Sequence, residues 1–168
     1  VNRIATTASA RGHTPSPRQT HRGDATAATP HKRKLTQADH DSNVQPWVLA
    51  AQRAGCDIRY MTVREDGSLD VDALETLVDE NTRLIACGLA SNGTGTIHDC
   101  QRISTLKKNA LTFFDGVHYA PHNLIDVRAL GADFLVVSPY KFFGPHCGAL
   151  YGRRDLLASL QPDKLRVS

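Results

Sequence analysis

The feature that most constrains this chain is a regular alternation, beginning at Leu35, of helix-periodic stretches with short apolar runs at residues 84–90, 111–114 and 134–137. The last of these, Phe134-Leu-Val-Val, is continuously apolar, as a strand covered on both faces must be. Between the runs the apolar residues return at helical spacing, as in Val71, Leu74, Leu77 and Val78 behind the capping Asp70, and again around residues 103–108. A helix is also expected from a cap at Asn43, with Pro46 in its first turn, through Trp47 and Leu49 to a stop at Gly55, followed by a strand over 57–63. Strands alternating with helices build a parallel sheet with helices on its faces, because each parallel pairing needs a crossover that packs back on the sheet. The expectation is an α/β fold in three layers with a mostly parallel sheet.

The 168 residues allow one such domain. Residues 1–34 do not belong to it on this reading. They hold seven Lys/Arg against one acid, no aromatic residue, and only Val1 and Ile4 as large aliphatics, too little to bury a core. They read as a disordered or non-native basic leader, without the amphipathic pattern of a transit peptide. Residues 35–168 carry thirteen basic against sixteen acidic residues, so the net charge of +3 comes from the leader. A nucleic-acid-binding face on the domain is not supported. No apolar run approaches the ~20 residues of a membrane span. Cys56, Cys87, Cys100 and Cys147 fit neither a metal-binding pair nor a dense secreted framework, which together with the missing signal segment predicts a cytoplasmic protein with reduced thiols.

In open α/β sheets ligands bind beyond the carboxyl ends of the strands. The polar residues fall there: Ser91 and Asn92 after one expected strand, Asp115 and His118 after the next, Ser138 and Lys141 after the third. An amide, an acid, an imidazole, a hydroxyl and an amine on one rim define a candidate site.

Four segments, DHDSNVQPW at 39–47, SNGTGTIHD at 91–99, DGVHYAPH at 115–122 and SPYKFFGPHCGALYG at 138–152, together resemble the class V aminotransferases, and among them the cysteine desulfurases and selenocysteine lyases. The resemblance covers about residues 35–168, with the segments in family order. It implies part of the large domain of a fold-type-I enzyme that uses pyridoxal 5'-phosphate, acts on a small amino-acid substrate, and forms a homodimer when full length. The leading reaction is desulfuration of cysteine or its selenium analogue; an aminotransferase and a truncated, non-catalytic remnant are the alternatives.

The residue roles follow from that resemblance. Lys141 matches the lysine that forms the Schiff base, with Phe142 and Phe143 expected to desolvate its amine and favour the neutral nucleophile. Asp115 matches the carboxylate partner of the cofactor's pyridine nitrogen, Val117 would pack on the ring, and His118 would reach its phenolic oxygen. His40 matches the histidine over the opposite ring face that assists proton transfer, Asn92 an amide near the same oxygen, and Ser138 and Tyr140 donors to the phosphate. Each also has a plain structural reading: Asp115 as a turn former before Gly116, His118 as a partner of a backbone carbonyl, His40 as a loop residue, Ser138 as a strand-end hydroxyl. A metal site at His118, His122, His146 and Cys147 finds no ligand spacing to support it. Tyr140 stands where many family members have His, and Pro139 where a smaller residue is usual. The family's upstream phosphate-binding loop and the C-terminal domain with its substrate arginine and persulfide cysteine have no match here.

Overall fold

The computed structural model describes residues 32–36 and 38–161. Six strands form one sheet: β1 (Lys32–Thr36), β2 (Asp57–Met61), β3 (Thr82–Gly88), β4 (Leu111–Asp115), β5 (Phe134–Val137) and β6 (Ala149–Gly152). Their spatial order is β2-β1-β3-β4-β5-β6. The first five pair in parallel, and β6 closes the sheet antiparallel to β5.

The helices are α1 (Gln45–Arg53), α2 (Val71–Leu77), α3 (Cys100–Leu106) and α4 (Arg154–Ser159). Asp70 caps α2 by accepting the Ala73 amide, and Asp99 caps α3 through the Arg102 amide. Successive strand residues face opposite sides, and the two faces carry separate cores. Ile85, Cys87, Phe114 and Leu135 pack with Leu74, Val78 and Ile103 beneath α2 and α3. Leu84 and Ala86 pack with Trp47 of α1, Leu111 and Phe113 on the other side. There Trp47 meets Phe113 edge-on at a centroid distance of 4.7 Å, beside a groove of about 450 Å3 that reaches Leu150 and Leu160.

The three-layer α/β reading holds, with three differences in detail. Among the described residues the first strand starts at Lys32 rather than after Leu35: residues 32–34, assigned by composition to the leader, form part of β1, an interior strand between β2 and β3. A basic strand gives no apolar signal, so pairing partners and not hydrophobic pattern reveal it. Residues 1–31 lie outside the described residues. Second, Asn43 does not cap α1. It is buried in a 3-10 turn (Asp41–Asn43), and its side chain accepts from Trp47 Nε1 at 3.0 Å and donates to Asp39 at 3.3 Å. Third, β6 and α4 were not anticipated. Glycine at 152 lets α4 lie close, because a Cβ there would stand 2.8 Å from the Leu157 side chain.

Among the described residues no helix is long and apolar enough to cross a membrane.

Candidate active site

The chain runs from β1 through α1 to β2 on one side, then returns to place β3 on the other side of β1. Adjacent strands that continue in opposite directions leave a crevice at their carboxyl ends. The turn after β1 carries Asp39 and His40, and it is fastened across this crevice where Asp39 Oδ1 accepts the Gly88 amide at 2.6 Å. A Cβ at position 88 would itself lie 2.6 Å from that oxygen, so the bond requires glycine. His40 Nδ1 accepts the Ser42 amide at 3.1 Å. In the neutral ring this leaves the proton on Nε2.

On the other side of β3, the end of β4 is locked by two bonds: the Leu89 amide donates to Asp115 O, and the Gly116 amide to Val136 O, both at 2.8 Å. Gly116 is wedged, since a Cβ would meet Ile125 Cδ1 at 3.1 Å and Val137 Cγ1 at 3.2 Å. Asp115 Oδ1 accepts the Val117 amide at 2.8 Å, and no hydrogen bond occupies Oδ2 among the described residues. Burial holds this carboxyl above its usual range, against the Val117 amide and the charges of His40, His118 and Lys141, which pull it down. His118 is pushed down, by burial first and then by Lys141, so its ring favours the neutral form.

Lys141 sits after β5 in a 3-10 turn (Pro139–Phe142) entered from Ser138. The turn closes through the Gly144 amide on Pro139 O at 2.8 Å, and a side chain at 144 would collide with Pro139. Tyr140 stacks on His146 with centroids 5.0 Å apart, and Lys141 Nζ lies 5.8 Å from the Tyr140 ring. The expected desolvation of Lys141 is absent: Lys141, Phe142 and Phe143 are all exposed, Phe143 completely so at the left-handed φ of 66°.

His40, Asp115, His118 and Lys141, from three separate segments, thus come close enough to act on one another electrostatically. Asn92 is exposed on a small loop closed by the Ser91 amide on Thr96 O and the Gly95 amide on Ser91 O. Among the described residues no hydrogen bond joins it to those four. Ser138 is half-buried and forms no side-chain cap bond. A cleft of about 260 Å3 opens beside His118, lined also by Ser91, Tyr119 and His122. Among the described residues no group of three or more His, Cys, Asp or Glu is placed to hold a metal ion.

Sequence reasoning missed Asp39, although it stands beside His40 in a quoted segment; only the fold brings it to Gly88. It also missed Asp133, 1% exposed, which binds Lys107 and Arg153 as well as the Thr112 amide. Lys107 is therefore a buried-pair partner and not a plain helix-surface lysine. This cluster lies at the amino ends of β4 and β5, away from the rim.

A model of the class-V aminotransferase family matches residues 27–166. A cysteine desulfurase of Pectobacterium carotovorum is 39% identical over 131 residues, which are 76% of this chain and 32% of that relative. An aminotransferase-like protein of Gibberella zeae is 41% identical over 131 residues, 75% of this chain and 33% of the relative. Among solved structures, the Escherichia coli cysteine desulfurase CsdA superposes with a TM-score of 0.74 at 32% identity, over 76% of this chain and 33% of that one. A cysteine desulfurase from Thermococcus onnurineus NA1 gives 0.76 at 28% identity, over 81% and 35%. The chain belongs to the class-V aminotransferase family, and its α/β architecture is the fold-type-I one of these desulfurases. It spans about a third of the length of the relatives it matches.

Proposed function

We propose that this chain is the cofactor-holding core of a pyridoxal 5'-phosphate enzyme that acts on a small amino acid, with removal of sulfur or selenium from cysteine or selenocysteine as its reaction. The observation that carries this reading is Asp115: a carboxyl at a strand end, fixed by one backbone amide, with its second oxygen open and His40, His118 and Lys141 within electrostatic reach. An aromatic cofactor with a protonated ring nitrogen suits such a carboxylate, since a cation beside it offsets the cost of burying the ionised form.

Bound there, the cofactor supplies an electron sink for the pair left at the substrate's α-carbon. The chain's residues do the rest. Lys141 Nζ would hold the aldehyde and would carry the substrate's α-proton. His118, neutral by burial and by the nearby lysine, orients the phenolic oxygen. His40, its Nδ1 engaged by Ser42, presents Nε2–H over the rim for proton transfer. Asn92 steadies the substrate side, and Ser138 with Tyr140 donates to the phosphate.

Two other readings have support. The Gibberella relative is named aminotransferase-like, and the exposure of Lys141 favours a remnant that holds cofactor only weakly. A protein carrying this core, supplied with cofactor, cysteine and dithiothreitol as the two-electron reductant, should release alanine and sulfide in equal amounts. Amino-group transfer to a keto acid without sulfur release would establish the aminotransferase, and neither product the remnant. The homodimer expected of the family would appear in the same preparation by sedimentation.

A further inference from the structure

Two of the four cysteines face each other in the core beneath α3. Cys87 lies near the end of β3 and Cys100 opens α3, and their Sγ atoms are 3.6 Å apart. A disulfide brings the sulfurs to about 2.05 Å, so closure requires side-chain rotation and a small approach of strand to helix.

The surroundings suit both the reduced and the joined state. The Gly88 carbonyl collects three groups: Cys87 Sγ at 3.1 Å, Cys100 Sγ at 3.5 Å and His98 Nδ1 at 2.9 Å. Loss of both thiol protons leaves the imidazole N–H on that oxygen, so no buried acceptor is orphaned. Access is one-sided. Cys100 and His98, with Leu89, Tyr119 and Ile125, line a surface cleft of about 190 Å3, roomy enough for a molecule slightly larger than water, while Cys87 does not reach it.

We propose that Cys87 and Cys100 form a peroxide-oxidisable dithiol, a modification site that joins the end of β3 to the start of α3. The Cys100 thiolate attacks the peroxide O–O bond, giving Cys100 sulfenic acid and releasing one oxygen as water. Cys87 then attacks that sulfur; the S–S bond forms, the S–O bond breaks, and the hydroxyl leaves with the Cys87 proton as a second water. Two thiols are oxidised by two electrons and one peroxide is reduced to two waters. Burial, and then the Cys100 thiol beside it, push the Cys87 thiol up, which suits a partner that reacts with the adjacent sulfenic acid and not with peroxide itself. The loop so closed contains Ser91 and Asn92, and its first residue, Gly88, holds Asp39.

The test is hydrogen peroxide titration of the folded chain, followed by thiol alkylation in denaturant, digestion and mass spectrometry. A linked pair of peptides containing Cys87 and Cys100 should appear, about 2 Da lighter than the two thiol peptides together, reversed by dithiothreitol and missing in Cys100→Ser. The wild-type map decides without the variant. The proposal is overturned if Cys87 and Cys100 are recovered as free thiols at doses that consume the exposed Cys147, if they are oxidised separately, or if the link forms only after the chain is unfolded.

Discussion

Asp39 accepts the Gly88 amide at 2.6 Å, across 49 residues of sequence, and this bond sets where His40 stands relative to Asp115. Asp39→Ala removes a charge-assisted bond worth about 1.5–3 kcal/mol. The denaturant midpoint should fall accordingly, with the slope unchanged. Cofactor loading should fall with it, because the turn bearing His40 is released. Asp39→Asn, which keeps an acceptor oxygen, should lose less in both measurements.

Asp133 makes a separate contribution to stability at the far end of the same strands. Burial alone would raise its carboxyl, but Lys107, the Thr112 amide and Arg153 outweigh burial and hold it below its ordinary value. A carboxyl depressed in the folded state stabilises the fold above its unfolded pKa of about 3.9, and that stability is lost as pH falls through the folded value. Thermal melts between pH 7 and pH 2 should show a steep acid loss that Asp133→Asn flattens. At neutral pH that variant should be less stable by about 1–3 kcal/mol, the cost of a lost charged hydrogen-bond network. Lys107→Ala should also lower the melting temperature, whereas Lys108→Arg on the exposed neighbour should not.

What the sequence disclosed follows from where the signal is local. Continuous apolar runs gave β3, β4 and β5 to within two residues, and the Asp70 cap gave α2, because period and capping are short-range effects. The basic strand β1 and the antiparallel β6 have no such pattern; each is a strand because of the neighbour it pairs with. Strand-end positions were enough to nominate Asp115, His118 and Lys141. The Asp39 to Gly88 bond and the Asp133 cluster join residues distant in sequence, and no spacing rule contains them. Exposure of Phe142 and Phe143 was hidden for a similar reason: an apolar residue's burial depends on what covers it.

In a protein that carries this core and turns over an amino acid, Asp115→Asn should leave cofactor content nearly intact and reduce turnover by about 10²–10³. The amide keeps the shape and the backbone bond to Val117 but loses the charge that favours a protonated ring nitrogen. Absorbance for cofactor content and initial rate for turnover separate the two effects, and equal losses in both would assign Asp115 to binding alone.

For the 168-residue chain alone, the exposed Lys141 and the few phosphate donors, Ser138 and Tyr140, set a low expectation. Equilibrium titration should give an affinity for pyridoxal phosphate weaker than micromolar, without sustained sulfur release, since orientation and desolvation both need a covered site.

The central claim is that Lys141 is the residue that takes the aldehyde. Incubation with pyridoxal phosphate, borohydride reduction, digestion and mass spectrometry measure it directly. The account predicts a reduced adduct concentrated on the peptide containing Lys141 and lost in Lys141→Ala, with Lys108 unmodified at the same cofactor concentration. An adduct spread evenly over exposed lysines, or one that persists at full yield in Lys141→Ala, would contradict it.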